Sequence, residues 1–433
     1  MIKKREMNLN RTIAPEFKLP DKLSLPAVNN INMQNGLSLS VINTGDADVL
    51  RLSIVFDAGT RYQPQLLVAS STLNMLGEGT EKYKSNEIAE LLDFYGASID
   101  FDIDRDWACV TFYSLTRHFQ KVMEIAEQIV KYATFPEKEL DTYKQNQKQQ
   151  LIIEREKVAT TARETFISSL FGKTHHYGVF ALPDDYDKLN GELLKDFHKK
   201  YYSSSNAFIV ASGKISEKEI KIIADFFGKD EWGNNKKANP EQQEIITSPE
   251  KIIYIPKNNS VQSAIRVGKV LFNKKHNDYC GMVFFNTILG GYFGSRLMKN
   301  IREEKGYTYG IYSNIVCMRD SGYFSISAEV GNEYVKLTLE EIKNEILRLQ
   351  QQKITKDELS LVKNYMTGDM LRSIDGAWKI ADMYIDVRQI GLNFEYIEQI
   401  FNEILKITPN RILELANKYL NINTLTTVIS GRY

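Results

Sequence analysis

Apolar residues recur along this chain with two different periods, which predict strands and helices in alternation. Residues 52–56 carry apolar side chains at every second position, as a strand does, whereas residues 88–95 carry them at helical spacing. Residues 99–103 alternate again, which predicts a second strand. On the side of this strand that is predicted to face solvent lie three acidic residues, Asp100, Asp102 and Asp104.

The second half of the chain shows the same mixture of periods. Thr355 and Glu358 have the spacing of a capping box, in which each side chain bonds to the other residue's backbone at the start of a helix. Apolar residues then fall on one helical face over residues 359–370. Interleaved helices and alternating strands indicate an α+β fold whose sheets are open to solvent on one face.

Recurring landmarks indicate that the chain contains a duplicated domain. Both halves end in a strand-like segment followed by Ser-Gly, and the two glycines, Gly213 and Gly431, are 218 positions apart. Leu76-Gly77 has its counterpart in Leu289-Gly290 at an offset of 213. A repeat of this length favours two homologous domains of mixed or antiparallel sheet with packed helices over a solenoid.

A polar stretch near the middle of the chain sets the predicted domain boundaries. Dividing 433 residues by about 150 residues per domain gives two to three domains, which agrees with a duplication. We expect an N-terminal arm over residues 1–27, a first domain over residues 28–228, a linker over residues 229–250 and a second domain over residues 251–433.

Composition narrows the classes of function. The 55 basic and 55 acidic side chains cancel, which argues against a nucleic-acid-binding protein. No apolar run approaches the roughly 18 residues of a membrane-spanning helix, and no secretory signal is recognisable, so we expect a cytoplasmic protein, with the periplasm as the alternative. Three cysteines without CxxC spacing are interpreted as small buried residues: Cys109, Cys280 and Cys317.

The candidate chemistry concentrates in residues 289–310. Three glycines within five positions, Gly290, Gly291 and Gly294, indicate a turn with close backbone approach. The Gly-Lys-Ser/Thr ending of a phosphate-binding loop is absent, which disfavours nucleotide binding. The whole chain has five histidines, which limits metal binding by imidazole: His118, His175, His176, His198 and His276.

This segment resembles the signature of the M16 (insulinase or pitrilysin) zinc metallopeptidase family. In that signature a glycine-rich turn is followed by Ser-Arg-Leu, by Arg-Glu-Glu and by a tyrosine seven positions after the second arginine. Here Arg296, Arg302 and Tyr309 occupy the matching positions. The resemblance covers roughly residues 30–433 and implies a LuxS/MPP-like metallopeptidase fold, with further landmarks at residues 58–61, 75–80 and 176–178.

The resemblance fails at the metal site. Active members carry a His-x-x-Glu-His motif just before the Met-Leu-x-x-Gly-Thr landmark, and a further glutamate ligand later in the sequence. The corresponding positions here lack all of these groups: Ser70, Leu73, Asn74 and Gln150. Because a catalytic zinc needs three protein ligands of His, Glu or Cys type, we expect no cofactor in this chain. His176 matches the structural histidine that precedes Tyr-Gly in the family.

The resemblance also implies a divided active site. In the family, one half or subunit supplies the zinc, and the opposite one presents an arginine and a tyrosine to the scissile carbonyl of a peptide. This chain is then the non-metal subunit, with Arg302 and Tyr309 acting in trans on the zinc site of a His-x-x-Glu-His partner. The three glycines would shape the turn, and Arg296 would serve the turn or the substrate. Short unfolded peptides are the expected ligands.

Other interpretations stay open. Family members without zinc motifs also act as scaffolds, as in the mitochondrial bc1 complex, so an inert assembly protein is the alternative, and a homodimer is a further option. Without the resemblance, Arg302 would be read as an ion-pair partner of Glu303 or Glu304, and Tyr309 as a core aromatic. Autonomous catalysis is disfavoured because no Ser-His-Asp or Cys-His arrangement is recognisable.

Overall fold

The computed structural model describes residue 12, residues 20–234 and residues 237–433. Most of the predicted N-terminal arm, residues 1–27, therefore lies outside the described residues. Within the described part, each half of the chain builds one β-sheet, and helices pack on both faces of each sheet. No helix in these ranges is long and apolar enough to cross a lipid bilayer.

The first half contributes one six-stranded sheet and the helices that follow its strands. Its strands are β1 (Asn29–Asn32), β2 (Ser38–Asn43), β3 (Val49–Phe56), β4 (Ser98–Ile103), β5 (Ala108–Leu115) and β6 (Ala207–Gly213). Its α-helices are α1 (Val68–Asn74), α2 (Ser85–Tyr95), α3 (Phe119–Lys131), α4 (Glu137–Glu156), α5 (Val158–Phe171), α6 (Gly191–Tyr201) and α7 (Glu217–Ile223).

The second half contributes a five-stranded sheet. Its strands are β7 (Ile252–Pro256), β8 (Gln262–Leu271), β9 (Thr308–Cys317), β10 (Gly322–Gly331) and β11 (Thr426–Gly431). Its α-helices are α8 (Tyr279–Asn286), α9 (Val335–Gln351), α10 (Lys356–Ser373), α11 (Ala377–Arg388), α12 (Glu395–Lys406) and α13 (Pro409–Tyr419). Two π-helical turns, Thr287–Gly291 and Met298–Glu304, lie between α8 and β9.

The two sheets share one topology. The first has the order β1-β2-β6-β3-β5-β4 and the second has the order β7-β11-β8-β10-β9. In each sheet the closing strand of the half, β6 or β11, pairs in parallel with the first long strand and antiparallel with the second. The remaining strands are antiparallel and end at a free edge, β4 or β9. The predicted class, two homologous α+β units with mixed sheets, is therefore confirmed.

Glycines at equivalent places support the duplication. Gly96 precedes β4 with φ +61°, and Gly306 precedes β9 with φ +69°, so both occupy the left-handed region that favours glycine. Gly213 and Gly431 close β6 and β11 with φ +113° and +142°. A Cβ at Gly213 would lie 2.6 Å from the Val49 carbonyl oxygen, which excludes any side chain there.

Helix α11 of the second half covers the outer face of the first sheet. Its Tyr384 hydroxyl lies 3.0 Å from Ser40 Oγ on β2, and its Asp382 forms an ion pair of 2.6 Å with Arg51 on β3. The apolar contact joins Ile380, Ala381, Tyr384 and Ile385 to Ile42, Val55, Cys109 and Val210. The expectation of a sheet open on one face is wrong here, because a helix distant in sequence fills that face.

Helix α5 of the first half covers the corresponding face of the second sheet. It packs across β8 and β11, where Ala162, Phe166, Leu170 and Phe171 meet Ala264 and Val428. One helix of each half thus packs against the sheet of the other half. The two halves form one packed body, since neither sheet is covered on both faces by its own half alone.

A partly buried polar network also joins the halves. The hairpin between β9 and β10 carries Arg319 and Asp320 into the first half. Arg61 forms ion pairs with Asp106 at 2.6 Å and with Asp320 at 2.7 Å. Arg319 pairs with Asp57 at 2.5 Å and donates its backbone N–H to Asp106. The Arg61–Asp106 pair is buried within the first half, and the partly exposed pairs of Arg61 with Asp320 and of Arg319 with Asp57 link this pair to the second half.

Candidate functional site

The glycine-rich turn packs closely against strand β9. A Cβ at Gly290 would lie 2.6 Å from the backbone nitrogen of Ser313 on β9, so no larger residue fits at this contact. At Gly294 a Cβ would lie 2.7 Å from the ring of Tyr292, and at Gly291 it would approach the Asn286 side chain to 3.0 Å. Gly290 therefore lies where a backbone contact excludes a side chain, whereas Gly291 and Gly294 lie beside neighbours that a Cβ would have to displace.

Arg296 is held by an ion pair rather than directed into open space. Its guanidinium binds the Glu358 carboxylate through two hydrogen bonds of 2.8 Å each, the fork geometry that arginine prefers. Glu358 lies in the first turn of α10, where the predicted capping box is only half formed. The Thr355 hydroxyl accepts from the Glu358 N–H, but the Glu358 side chain serves Arg296 instead. Arg296 thus ties the turn to α10.

Arg302 lies on the π-helical turn before β9 and is partly exposed. Its guanidinium carbon stands 4.7 Å from the centre of the Phe293 ring, which is 57% exposed. Among the described residues it forms no ion pair with Glu303 or Glu304, so that interpretation of Arg302 is wrong. A guanidinium that rests on an aromatic ring keeps its hydrogen-bond donors free for an external group.

Tyr309 is the second residue of the edge strand β9, and its side chain is 88% exposed. It borders an open cavity of about 390 Å³ whose wall also includes Tyr312, Arg266 and Glu329. The interpretation of Tyr309 as a core aromatic is therefore wrong. Because β9 pairs with β10 alone in the described ranges, the backbone beside Tyr309 has a free edge.

Arg302 and Tyr309 are near in sequence but do not touch. Gly306 lies between them with φ +69°, and its N–H donates to the Arg302 carbonyl, which turns the chain into β9. Arg302 is not part of the wall of the Tyr309 cavity, and no hydrogen bond joins the two side chains in the described residues. Neither side chain has its polar groups occupied by a hydrogen bond within the described residues.

Three of the four degenerate metal positions are built into the protein interior or into local contacts, and the fourth is exposed. The Ser70 hydroxyl donates to the Leu67 carbonyl within α1, and the Asn74 amide donates to the Tyr143 hydroxyl on α4. Leu73 is fully buried in the apolar core, and Gln150 is exposed on α4. The described residues contain no group of three His, Cys, Asp or Glu side chains that could hold a metal ion. These positions do not fit zinc.

The histidines and cysteines offer no alternative site. Burial lowers the pKa of His176 to about 4, and Gln243 lies 2.9 Å from its ring nitrogen. His198 is buried beside the Val130 carbonyl, with its pKa also lowered to about 4 by burial. Burial raises the pKa of Cys109 and of Cys317 to about 11, so neither thiol ionises near neutral pH.

Asp100 and Asp102 on β4, with the following Asp104, lie on the solvent side as the alternation predicts, and they line an open cavity. The cavity measures about 400 Å³ and lies between the β4–β5 hairpin and α11. Its wall carries six aspartates: Asp100, Asp102, Asp104, Asp106, Asp382 and Asp386. Burial raises the pKa of Asp102 and raises that of Asp104 to about 7. Alternation in the sequence marked the correct face of β4 but gave no sign of the helix opposite.

The described residues thus form two sheets of one topology, and the positions that the resemblance assigns to a metal hold Ser, Leu, Asn and Gln. Comparison with known families makes this specific. The description "Insulinase (Peptidase family M16)" matches residues 40–176, and "Peptidase M16 inactive domain" matches residues 188–366. The chain belongs to the M16 peptidase family.

Relatives and solved structures agree with this family and fold. The chain is 23% identical over 412 residues to "Uncharacterized zinc protease YmxG" of Bacillus subtilis (strain 168), covering 93% of this chain and 98% of that protein. It is 22% identical over 376 residues to "Non-peptidase homolog YmxG" of Helicobacter pylori (strain ATCC 700392 / 26695), covering 84% of each. The crystal structure of a peptidase M16 inactive domain from Pseudomonas fluorescens matches with a TM-score of 0.85 at 22% identity, over 94% of this chain and 98% of that one.

Proposed function

We propose that this chain is the non-metal subunit of an M16 zinc peptidase, which presents Arg302 and Tyr309 to a peptide bound at the zinc site of a His-x-x-Glu-His partner. The observation that carries this proposal is Tyr309, a phenol 88% exposed on a free strand edge in a chain whose own metal positions are degenerate. This exposure leaves the phenol hydroxyl within reach of a ligand that pairs with the edge of β9.

The chemical role of the pair is hydrogen-bond donation. The Arg302 guanidinium and the Tyr309 hydroxyl can both donate to the carbonyl oxygen of a scissile peptide bond and to the negative charge that develops there on attack. Phe293 holds the guanidinium without consuming its N–H donors. The residues of this chain move no proton in this scheme. They bind the substrate and stabilise the oxyanion.

The peptide is proposed to lie along the edge of β9. In the described residues this edge has backbone N–H and C=O groups without a strand partner, and an extended peptide can pair with such groups as an added strand. Tyr309 and Tyr312 project beside that edge into the cavity of about 390 Å³. Backbone pairing recognises an unfolded segment without fixing its sequence, which agrees with short unfolded peptides as ligands.

A reconstitution assay tests the proposal. The chain is mixed with the M16 subunit of the same organism that carries His-x-x-Glu-His, and cleavage of a short fluorogenic peptide is followed. We expect Arg302→Ala and Tyr309→Phe each to lower kcat by about 10²- to 10³-fold, the loss on removing one oxyanion donor. Tyr132→Phe, a change at an exposed tyrosine of the first half, is the matched control.

The inert scaffold is the competing outcome of this assay. If both variants cleave at the wild-type rate while the two subunits still associate, the pair has no catalytic role and the chain acts as an assembly protein. If the variants no longer associate with the partner, the pair belongs to the subunit interface. Size-exclusion chromatography of each mixture separates these two results.

A further inference from the structure

Helix α10 carries large apolar side chains on its outer face as well as on the face that packs against its own half. Val362 and Met366 are buried in the core of the second half. Leu361 and Tyr365, one helical turn apart on the outer face, are 57% and 36% exposed. Large apolar side chains that neighbour one another on an exposed helix face are typical of a helix that packs against another molecule.

The glycine-rich turn extends this outer face. The rings of Tyr292 and Tyr365 lie 4.6 Å apart, measured between ring centres, so the turn and α10 form one surface. Phe293, the next residue of the turn, is 57% exposed. We call Tyr292, Phe293, Leu361 and Tyr365 the apolar surface. Three of these four residues are aromatic, and aromatic residues are enriched at the centres of protein–protein interfaces.

Charged pairs border the apolar surface at both ends along α10. Before it, Glu358 binds Arg296 through hydrogen bonds of 2.8 Å. After it, Asp369 forms an ion pair of 2.6 Å with Arg372. These four charged side chains satisfy one another, so they leave the apolar side chains between them as the part that a partner would bury. An apolar centre inside a polar rim is the usual anatomy of a protein–protein interface.

Gly368 lies on the same outer face of α10 and has no internal reason to be glycine. It follows Leu361 by seven positions, about 10 Å along the helix at 1.5 Å per residue. A Cβ at Gly368 would meet no atom within 4 Å, and the backbone there is not left-handed. Glycine inside a helix is destabilising relative to alanine, whereas it permits close approach of another backbone. A contact with a second molecule accounts for glycine at this position.

The apolar surface is continuous with one member of the candidate pair. The guanidinium carbon of Arg302 stands 4.7 Å from the centre of the Phe293 ring. In the proposed function Arg302 faces the zinc site of the partner subunit, so the partner also comes against Phe293 and the adjoining face of α10. The peptide fits this surface less well, because the wall of the cavity beside Tyr309 includes no residue of the apolar surface.

We propose that the apolar surface, together with Gly368, is the contact through which this chain binds the His-x-x-Glu-His subunit. This inference rests on the proposed function for the identity of the partner. It goes further by naming the surface of this chain that holds the two subunits together. The partner then presents an apolar patch that buries Leu361 and the aromatic rings, and a segment whose backbone approaches α10 at Gly368.

Titration calorimetry of the two subunits, without peptide, tests the inference. Leu361→Gln and Tyr365→Gln should each raise the Kd for the partner subunit by about tenfold or more, as truncation of a central interface residue does. Leu361→Gln should leave the midpoint of urea unfolding unchanged, because Leu361 is exposed in the isolated chain. Leu182→Gln is the matched control, at a leucine of the first half that is 55% exposed, and should leave the Kd unchanged.

Gly368→Ala separates a binding role from a structural one. Alanine favours the helix, so the midpoint of urea unfolding of the isolated chain should rise. The added Cβ would stand between α10 and the partner, so the Kd should rise by about tenfold. A rise in the midpoint with an unchanged Kd would remove Gly368 from the proposed contact.

The outcomes separate this inference from the proposed function. An unchanged Kd in Leu361→Gln and Tyr365→Gln overturns the contact and leaves the roles of Arg302 and Tyr309 untouched. A raised Kd supports the contact even if the reconstituted complex cleaves no peptide, which would refute the proposed function alone. If Leu361→Gln instead abolishes self-association, or weakens only peptide binding, the surface belongs to a second copy or to the substrate and the inference is overturned. Absence of any association between the subunits overturns both proposals.

Discussion

Arg61 bridges two aspartates that differ in burial. This difference predicts how much each aspartate contributes to the free energy of unfolding at the junction of the halves. The side chains of Arg61 and Asp106 are 1% and 4% exposed, whereas that of Asp320 is 50% exposed. Both ion pairs have nearly the same length, 2.6 and 2.7 Å. Replacing each aspartate by alanine therefore compares a buried with a half-exposed partner of one arginine.

The two replacements should lower the free energy of unfolding by amounts that differ several-fold. Asp106 accepts from Arg61, from the Tyr177 hydroxyl and from the Arg319 N–H, so Asp106→Ala leaves two buried side-chain donors and one partly buried backbone donor without this acceptor. Removing one partner of a buried pair typically costs about 3–5 kcal/mol of unfolding free energy. Asp320→Ala removes a pair that water already screens, for which about 1 kcal/mol or less is expected.

Urea unfolding followed by tryptophan fluorescence measures the difference. Trp107 adjoins Asp106 in the sequence and reports on the junction. We expect Asp106→Ala to lower the urea concentration at the unfolding midpoint by a large amount and Asp320→Ala to lower it by a small amount. Equal shifts, or a larger shift for Asp320→Ala, would refute the argument that burial of the carboxylate decides the strength of this junction.

Three further predictions concern the exchanged helices, the degenerate metal positions and the acidic cavity. Residues 20–228 produced alone should aggregate, because Ile42, Val55 and Val210 lose the cover of α11, and co-production with residues 250–433 should restore a soluble complex in a pull-down assay. A variant with the metal motif restored carries Ser70→His, Leu73→Glu, Asn74→His and Gln150→Glu. Its midpoint of urea unfolding should be lower than that of the same variant with Leu73 retained. The reason is that Leu73 is fully buried, so that a carboxylate at this position is desolvated. Equal midpoints would show that position 73 is accessible to water. Burial raises the pKa of Asp104 to about 7, so the folded state holds an extra proton between about pH 4 and pH 7, and stability falls as pH rises through that window. Asp104→Asn should remove this fall, so that its midpoint exceeds that of the wild type at about pH 8 and equals it at about pH 4. A constant difference at both pH values would contradict the assignment.

Local patterns in the sequence predicted much of the fold. The alternation over residues 52–56 and 99–103 falls in β3 and β4, and the helical spacing over residues 88–95 falls in α2. These patterns succeed because the periods of strands and helices are properties of adjacent residues. The duplication was visible for a similar reason, since Gly213 and Gly431 close equivalent strands at positive φ, where a side chain is not tolerated.

Contacts between distant segments could not be predicted in this way. The apolar residues of α11 have the pattern of an ordinary amphipathic helix, and nothing local shows that their partner is the sheet of the other half. Glu358 has capping-box spacing, but Arg296, 62 positions away, takes its carboxylate.

The candidate pair was found through its motif, and the structure adds how each member is presented. Arg302 rests on Phe293, and Tyr309 extends from a free strand edge. Without the motif, Arg302 would have been interpreted as an ordinary surface residue and Tyr309 as an ordinary core residue. Exposure decides for Tyr309, because a core aromatic would not be 88% exposed.

Cleavage by a stoichiometric mixture tests the central claim most directly. The chain, its His-x-x-Glu-His partner and their mixture are each assayed at equal concentration on one fluorogenic peptide. We predict negligible cleavage by either chain alone and rapid cleavage by the mixture. Full activity of the partner alone, unchanged when this chain is added, would contradict it.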